Sequence, residues 1–183
     1  MSQCQDPATP LATQFASGIR VLDIRLSIVN RVLIAYHDIY PQKLPFLEIL
    51  QAVHTFLTSS DGKTETIIIS VKQEDKASLL FSKLVHNAVY NGPGGKDKWF
   101  LENRVPTLGE VRGKAVLFSR FGGNGEGWEG GLNGIGIHPP IWPDSKPEGF
   151  EWWIKGTKVK THDWCVLFDA SFLLLAQLHS GIL

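Results

Sequence analysis

The stretch Ile19-Arg-Val-Leu-Asp23-Ile-Arg25-Leu-Ser27 decides how this chain folds. Gly18 precedes it, and its β-branched and aliphatic residues read as a strand. Side chains alternate along a strand, so Leu22, Ile24 and Leu26 share one face, and Ile19, Val21, Asp23 and Arg25 share the other. The second face begins apolar and ends in a carboxylate and a guanidinium. An ordinary amphipathic strand carries polar residues along the whole of its solvent face. A strand apolar on both faces until its C-terminal end belongs in a barrel or an open α/β sheet, with a site at the carboxyl ends of the strands.

Working outward, Leu11 to Ser17 predicts a short helix and Arg31 to His37 a second strand ending in a histidine, joined to the first by a hairpin or tight meander. Asp38 to Lys43, with Pro41, reads as a loop. Leu44 to Leu57 predicts a helix burying Phe46, Ile49, Leu50, Val53, Phe56 and Leu57, which recur at helical spacing. Thr64 to Val71, with Ile67, Ile68, Ile69 and Val71, reads as an interior strand ending at Lys72, with Glu74 just beyond. Ala77 to Tyr90 predicts a helix burying Leu80, Phe81, Leu84, Val85 and Ala88. Pro106-Thr-Leu108 turns into a short helix, and Gly113 to Phe121 is a strand ending at Arg120. A Gly-rich segment from Gly122 to Gly136, expected as a mobile rim loop, lacks the Gly-Lys-Ser/Thr ending of a P-loop. The remainder contains Trp152, Trp153 and Trp164 and an apolar tail.

Strands alternating with helices over short links indicate an α/β fold with mostly parallel strands. The strand ends would bring Asp23, Arg25, His37, Lys72 and Arg120 to one rim. A cationic rim with one carboxylate suits an anionic substrate, most simply a phosphate.

The totals narrow the alternatives. The chain has 183 residues and a formal net charge of zero, so no global charge directs it to nucleic acid or an anionic surface. Its length suits one domain, spanning 1–183. Cys4 and Cys165 fit neither a metal pair nor a disulfide framework and read as free thiols. Residues 1 to 18 lack a leader pattern, and no run is long enough for a transmembrane helix; the compartment stays open.

Taken together, Gly18-Ile-Arg-Val-Leu-Asp-Ile-Arg25, His37, Glu65-Thr-Ile-Ile-Ile-Ser-Val-Lys72 and Arg112-Gly-Lys-Ala-Val-Leu-Phe-Ser-Arg120 resemble the X region of the phosphatidylinositol-specific phospholipases C, in its bacterial-type, metal-independent branch. The resemblance runs from Gln14 to Trp164; residues 1–13 and 165–183 match weakly. It implies a partial, distorted (β/α) TIM-type barrel and cleavage of the phosphodiester between inositol and diacylglycerol at a membrane surface. It implies that Arg25 binds the phosphate where the metal-dependent branch holds calcium, so no cofactor is expected. It implies that Asp23 orients a catalytic group, that His37 is the general acid, and that Lys72, Arg120 and Asp144, in a Trp-Pro-Asp turn, line the inositol pocket. The family's general base lies on a strand before the first one here, and further strands follow the position of Trp164. The expectation is therefore a barrel short at both ends. His162-Asp163 imitates a His-Asp pair at the wrong place in the order.

Each residue also has a plainer reading. Asp23 and Arg25 fit a structural ion pair equally well; His37, Lys72 and Arg120 are ordinary strand-end residues; His54, His86 and His138 are structural. Trp128, Trp142, Trp152 and Trp153 read as half-buried core rather than lipid contacts. The functional alternative to an enzyme is a catalytically incomplete module that binds inositol phospholipid through Arg25, Lys72 and Arg120. A third reading is an incomplete product without a stable fold. A glycerophosphodiester phosphodiesterase is a weaker rival, because it would need an acidic metal cluster near His37.

Overall fold

The computed structural model describes residues 9–37, 40–74, 78–143 and 146–163. Asp144, Cys4, Cys165 and the apolar tail lie outside the described residues. The order is α1 (Leu11–Ala16), β1 (Val21–Val29), β2 (Val32–His37), β3 (Tyr40–Pro45), α2 (Phe46–Thr58), β4 (Thr66–Gln73), α3 (Leu79–Asn91), β5 (Trp99–Phe100), α4 (Leu108–Val111), β6 (Lys114–Arg120), β7 (Lys146–Ile154) and β8 (Thr157–Asp163).

A six-stranded sheet runs β3-β2-β1-β4-β6-β5, and β7 pairs with β8 in a separate ribbon. β1, β4, β6 and β5 are mutually parallel, while β2 and β3 are antiparallel to their neighbours. Each βα connection returns the chain to the same end of the sheet, which aligns the carboxyl ends of β1, β4 and β6.

Alternation along the strands sorts the core. Leu22, Ile24 and Leu26 of β1, Ile67, Ile69 and Val71 of β4, and Ala115 and Leu117 of β6 pack with α2 and α3 in the main cluster. α2 contributes Phe46, Ile49, Leu50, Val53 and Leu57 as expected, and α1 inserts Phe15. The opposite face of β6 forms a second cluster, in which Val116 meets Phe100, Val111, Ile137, Trp152 and Ile154 beneath the β7–β8 ribbon. That cover stops short of β1, where Val21 is 59% exposed. The expectation that both apolar faces of β1 are buried therefore holds on the helix side only.

Several local expectations are corrected. The presumed loop after residue 38 is largely strand: Tyr40–Pro45 pairs with β2 through a register irregularity. Its prolines are tolerated because it is the edge strand. α2 consequently starts at Phe46, after Pro45. α3 buries Phe81, Ser82, Val85, Ala88 and Val89, leaving Leu80 exposed and Leu84 half-buried, because its apolar stripe is rotated by one position. Its N-terminus is capped by the Ser78 hydroxyl, which accepts from the Leu80 amide at 3.2 Å. The β1–β2 link is a hairpin whose loop residues, Asn30 and Arg31, both have positive φ (49° and 64°). The strands' right-handed twist favours this mirror-image turn. The unassigned region after Trp142 forms a second such hairpin, turning at Lys155 and Gly156.

The Gly-rich segment is tied into the fold. Trp128 and Ile135 are core residues, and the Trp128 indole donates to the Gly134 carbonyl at 2.6 Å. Its end runs beside β6: the Ile137 amide donates to the Leu117 carbonyl at 2.9 Å, and the Ser119 amide to the Ile137 carbonyl at 2.8 Å. Gly136 permits this approach. A Cβ there would lie 2.3 Å from the Leu117 carbonyl oxygen, and its φ is +81°.

Candidate active site

The register of three parallel strands builds the site. Arg25 pairs with Lys72 across β1 and β4, and Lys72 pairs with Arg120 across β4 and β6. One pleat earlier, Asp23 pairs with Ser70 and Ser70 with Phe118. All six residues fall on the face opposite the helices, because side chains two apart share a face. Arg25, Lys72 and Arg120 thus form a single row at the carboxyl ends of the strands, with backbones about 4.8 Å apart.

Three adjacent cations repel one another, and carboxylates separate them. Asp23 reaches Arg120 at 2.6 Å and Arg25 at 3.3 Å, and accepts from the Ser70 hydroxyl at 3.3 Å. Glu74 reaches Arg25 at 3.2 Å and Lys72 at 3.6 Å. The Glu74 amide continues the ladder by donating to the Leu26 carbonyl at 2.9 Å, which fixes the carboxylate over the row. Burial disfavours the charged form of Arg25, but the facing charges of Asp23 and Glu74 and their hydrogen bonds outweigh it, raising the pKa above its ordinary value.

Arg120 is the most enclosed cation, its side chain 6% exposed against 49% for Asp23. Its guanidinium lies 4.7 Å from the Trp142 ring centroid, a cation–π arrangement. Trp142 in turn meets Phe118 and Phe150 edge-on at 5.7 and 5.3 Å. An aromatic wall therefore stands beside the cationic row. Among the expected half-buried core tryptophans, Trp128 and Trp152 are buried and Trp142 serves this wall, whereas Trp153 is 64% exposed.

The structure thus brings together Asp23, Arg25, Lys72 and Arg120. His37 stands apart. The β1–β2 ladder ends at Leu26 with Ala35, two residues short of His37, which pairs instead with Tyr40 of β3 beyond a register irregularity. Among the described residues, no hydrogen bond or ion pair joins His37 to the cluster. Asp144 lies outside the described residues, and His162 is exposed on β8.

Sequence reasoning left Glu74, Ser70 and Trp142 without a place in the site. Glu74 was visible in principle, standing one pleat beyond Lys72. The stacking of Trp142 on Arg120 depends on tertiary placement, for which the sequence holds no signal.

No family model matches the chain. A curated 1-phosphatidylinositol phosphodiesterase of Staphylococcus aureus (strain Newman) is 29% identical over 117 residues, covering 61% of this chain and 37% of that protein. A solved structure of the phosphatidylinositol-specific phospholipase C of S. aureus, concerned with its membrane binding, superposes with a TM-score of 0.66 at 26% identity, covering 87% of this chain and 56% of that one. The chain is homologous to the bacterial phosphatidylinositol-specific phospholipases C. The enzyme from Listeria monocytogenes matches with a TM-score of 0.50 at 28% identity, covering 61% of this chain and 40% of that one. These structural neighbours have a TIM-barrel-like fold, and the open sheet here is a partial barrel of that kind. The chain spans about two-fifths of the length of the curated relative it matches. Among the described residues, no helix is long and apolar enough to cross a membrane.

Proposed function

We propose that this chain carries the phosphate- and inositol-recognising part of a metal-independent phospholipase C X-type site, acting on phosphatidylinositol-type lipids at a membrane surface. The observation behind this reading is the row Arg25–Lys72–Arg120 on adjacent parallel strands, held by Asp23 and Glu74, in a homologue of phosphatidylinositol phosphodiesterases. In this reading Arg25 meets the phosphate oxygens. A fixed guanidinium neutralises charge that develops on phosphorus as the bond to the leaving group breaks. Lys72, Arg120 and Asp144 line the inositol pocket. The inositol 2-hydroxyl passes its proton to a water molecule as its oxygen forms the new bond to phosphorus, giving a cyclic phosphate. The bond to the diacylglycerol oxygen breaks, and that oxygen takes a proton from His37. Asp23 orients the neighbouring groups.

A second reading, inositol-phospholipid binding without turnover, is favoured by one observation: among the described residues no hydrogen bond or ion pair joins His37 to the clustered Asp23, Arg25, Lys72, Glu74 and Arg120. Proton-transfer groups are each worth about 10²–10⁴-fold, so a misplaced acid leaves recognition intact while removing most of the rate.

The experiment is release of water-soluble inositol phosphate from phosphatidylinositol vesicles, with and without chelator. Turnover that resists chelator and disappears in Arg25→Ala supports the metal-free enzyme. Vesicle binding without turnover supports the second reading. Neither binding nor turnover by soluble, folded protein excludes both.

A further inference from the structure

His138 follows the short run beside β6, and its ring is held at both nitrogens. Nε2 lies 2.9 Å from the Gly123 carbonyl oxygen. A carbonyl can only accept, which assigns a proton to Nε2. With that proton on Nε2, Nδ1 accepts from the Ser119 hydroxyl at 2.9 Å, and the Ser119 carbonyl oxygen lies 3.0 Å from the same nitrogen without a hydrogen bond to it. The His138 amide donates to the Asn103 side-chain oxygen at 3.0 Å, anchoring the histidine from the other side.

These contacts bracket Arg120. Ser119 directly precedes Arg120, and Gly123 lies three residues beyond it. Between them the chain leaves β6 through Gly122 and Gly123, at φ +82° and +46°, backbone that has no strand ladder to hold it. On the other side of His138, Pro139 and Pro140 fix their own φ angles and lead through Ile141 to Trp142, which stacks on Arg120. One imidazole thus sits where the Arg120 backbone and the Trp142 segment meet.

We propose that His138 is a positioning residue for the anion site: by holding the Ser119 hydroxyl on one side of Arg120 and the Gly123 carbonyl on the other, and anchoring the segment that ends in Trp142, it sets the geometry of the Arg120–Trp142 stack. This rests on the reading of the Arg25–Lys72–Arg120 row as an anion site, and it extends that site to a histidine that touches no ligand.

The test uses ¹⁵N-labelled full chain and a ligand-free signal. The Arg120 Nε–H resonance, assigned through Arg120→Lys, is displaced by the ring current of Trp142. In His138→Ala this displacement shrinks, whereas the resonance of Arg104, which sits over Phe100 at 4.9 Å, stays in place. Affinity for myo-inositol 1-phosphate falls about tenfold, the scale of one lost net hydrogen bond. His138→Asn, which places an amide near Ser119, and His138→Gln, which extends one toward Gly123, each restore part of both signals and serve if the alanine variant fails to fold. An Arg120 resonance and an affinity both unchanged in His138→Ala overturn the proposal. So does a change that moves Arg104 equally and is no smaller in the Asn and Gln variants, since that is general loosening. If the unaltered protein binds no inositol phosphate, the proposed function fails, while the Arg120 resonance still decides the role of His138.

Discussion

Arg120 on β6 and Asp23 on β1, 97 residues apart in the chain, form a 2.6 Å ion pair that spans β4. The pair ties together the outer two of the three strands that present the cationic row. Its members are unequally placed, the guanidinium enclosed beneath Trp142 and the carboxylate half in solvent. Solvent screens the attraction on the Asp23 side, while the enclosure of Arg120 strengthens the charge-assisted bond between them.

Replacement of Asp23 by Asn is therefore expected to lower stability by about 1 kcal/mol, the scale of losing one partly screened ion pair while an amide oxygen stays in place. Urea unfolding monitored by circular dichroism reads this directly. An unchanged midpoint and slope would mean that the pair contributes nothing to the fold.

Glu74 works against an incoming anion, because it already holds Arg25 and Lys72. Substituting Gln removes one negative charge from the row while keeping the shape. Inorganic phosphate should then bind roughly two- to fivefold tighter, the scale of a screened ion pair. Phosphate titration followed by ³¹P line broadening checks it; weaker binding would mean that Glu74 supports the site rather than competing in it.

A second polar cluster predicts acid sensitivity. Hydrogen bonds from Arg104, then from the Thr107 backbone and side chain, hold the Glu110 carboxyl down to about 2. Thr107 and Glu110 form the reciprocal cap of α4. A carboxyl whose pKa is depressed on folding contributes stability that is fully present above its unfolded value, near 4.5, and is lost as the pH falls through its folded value. Loss of stability between pH 4.5 and 2 should accordingly be smaller in Glu110→Gln than in the unaltered chain, as read by unfolding midpoints at several pH values. Parallel curves for the two proteins would remove Glu110 from the account.

Gly136→Ala should destabilise the fold by at least about 2 kcal/mol, since it combines left-handed backbone with a clash. The added methyl meets the Leu117 carbonyl, which accepts from the Ile137 amide. Thermal unfolding measures the loss; a midpoint within a degree of the original would contradict the close approach.

Much of this arrangement was legible in the sequence. The unbroken β-branched run Ile67-Ile-Ile69 marked β4 as an interior strand, and the three-four spacing of Phe46 to Leu57 marked α2 by its one buried face. Arg25, Lys72 and Arg120 were legible as strand ends, and parallel pairing then set them side by side. Three features were not. β3 was hidden because prolines at 41 and 45 signal a loop, and only its edge position makes a strand possible. The β7–β8 hairpin had a visible turn in Lys155-Gly156, but its flanking residues mix charge and tryptophan without a clean period. The separation of His37 from the clustered side chains was not legible either, because it depends on where the β1–β2 ladder ends, at Ala35, and on the pairing of His37 with Tyr40 of the hidden strand β3.

The most direct test of the central claim, that Arg25, Lys72 and Arg120 form one site for an inositol phosphoester, is the affinity of the protein for myo-inositol 1-phosphate, by calorimetry, beside Arg25→Ala and Lys72→Ala. The account predicts measurable binding that falls at least about tenfold in each variant, as expected for losing a hydrogen bond to a charged group. Binding that is absent from the unaltered protein, or untouched by either substitution, would contradict it.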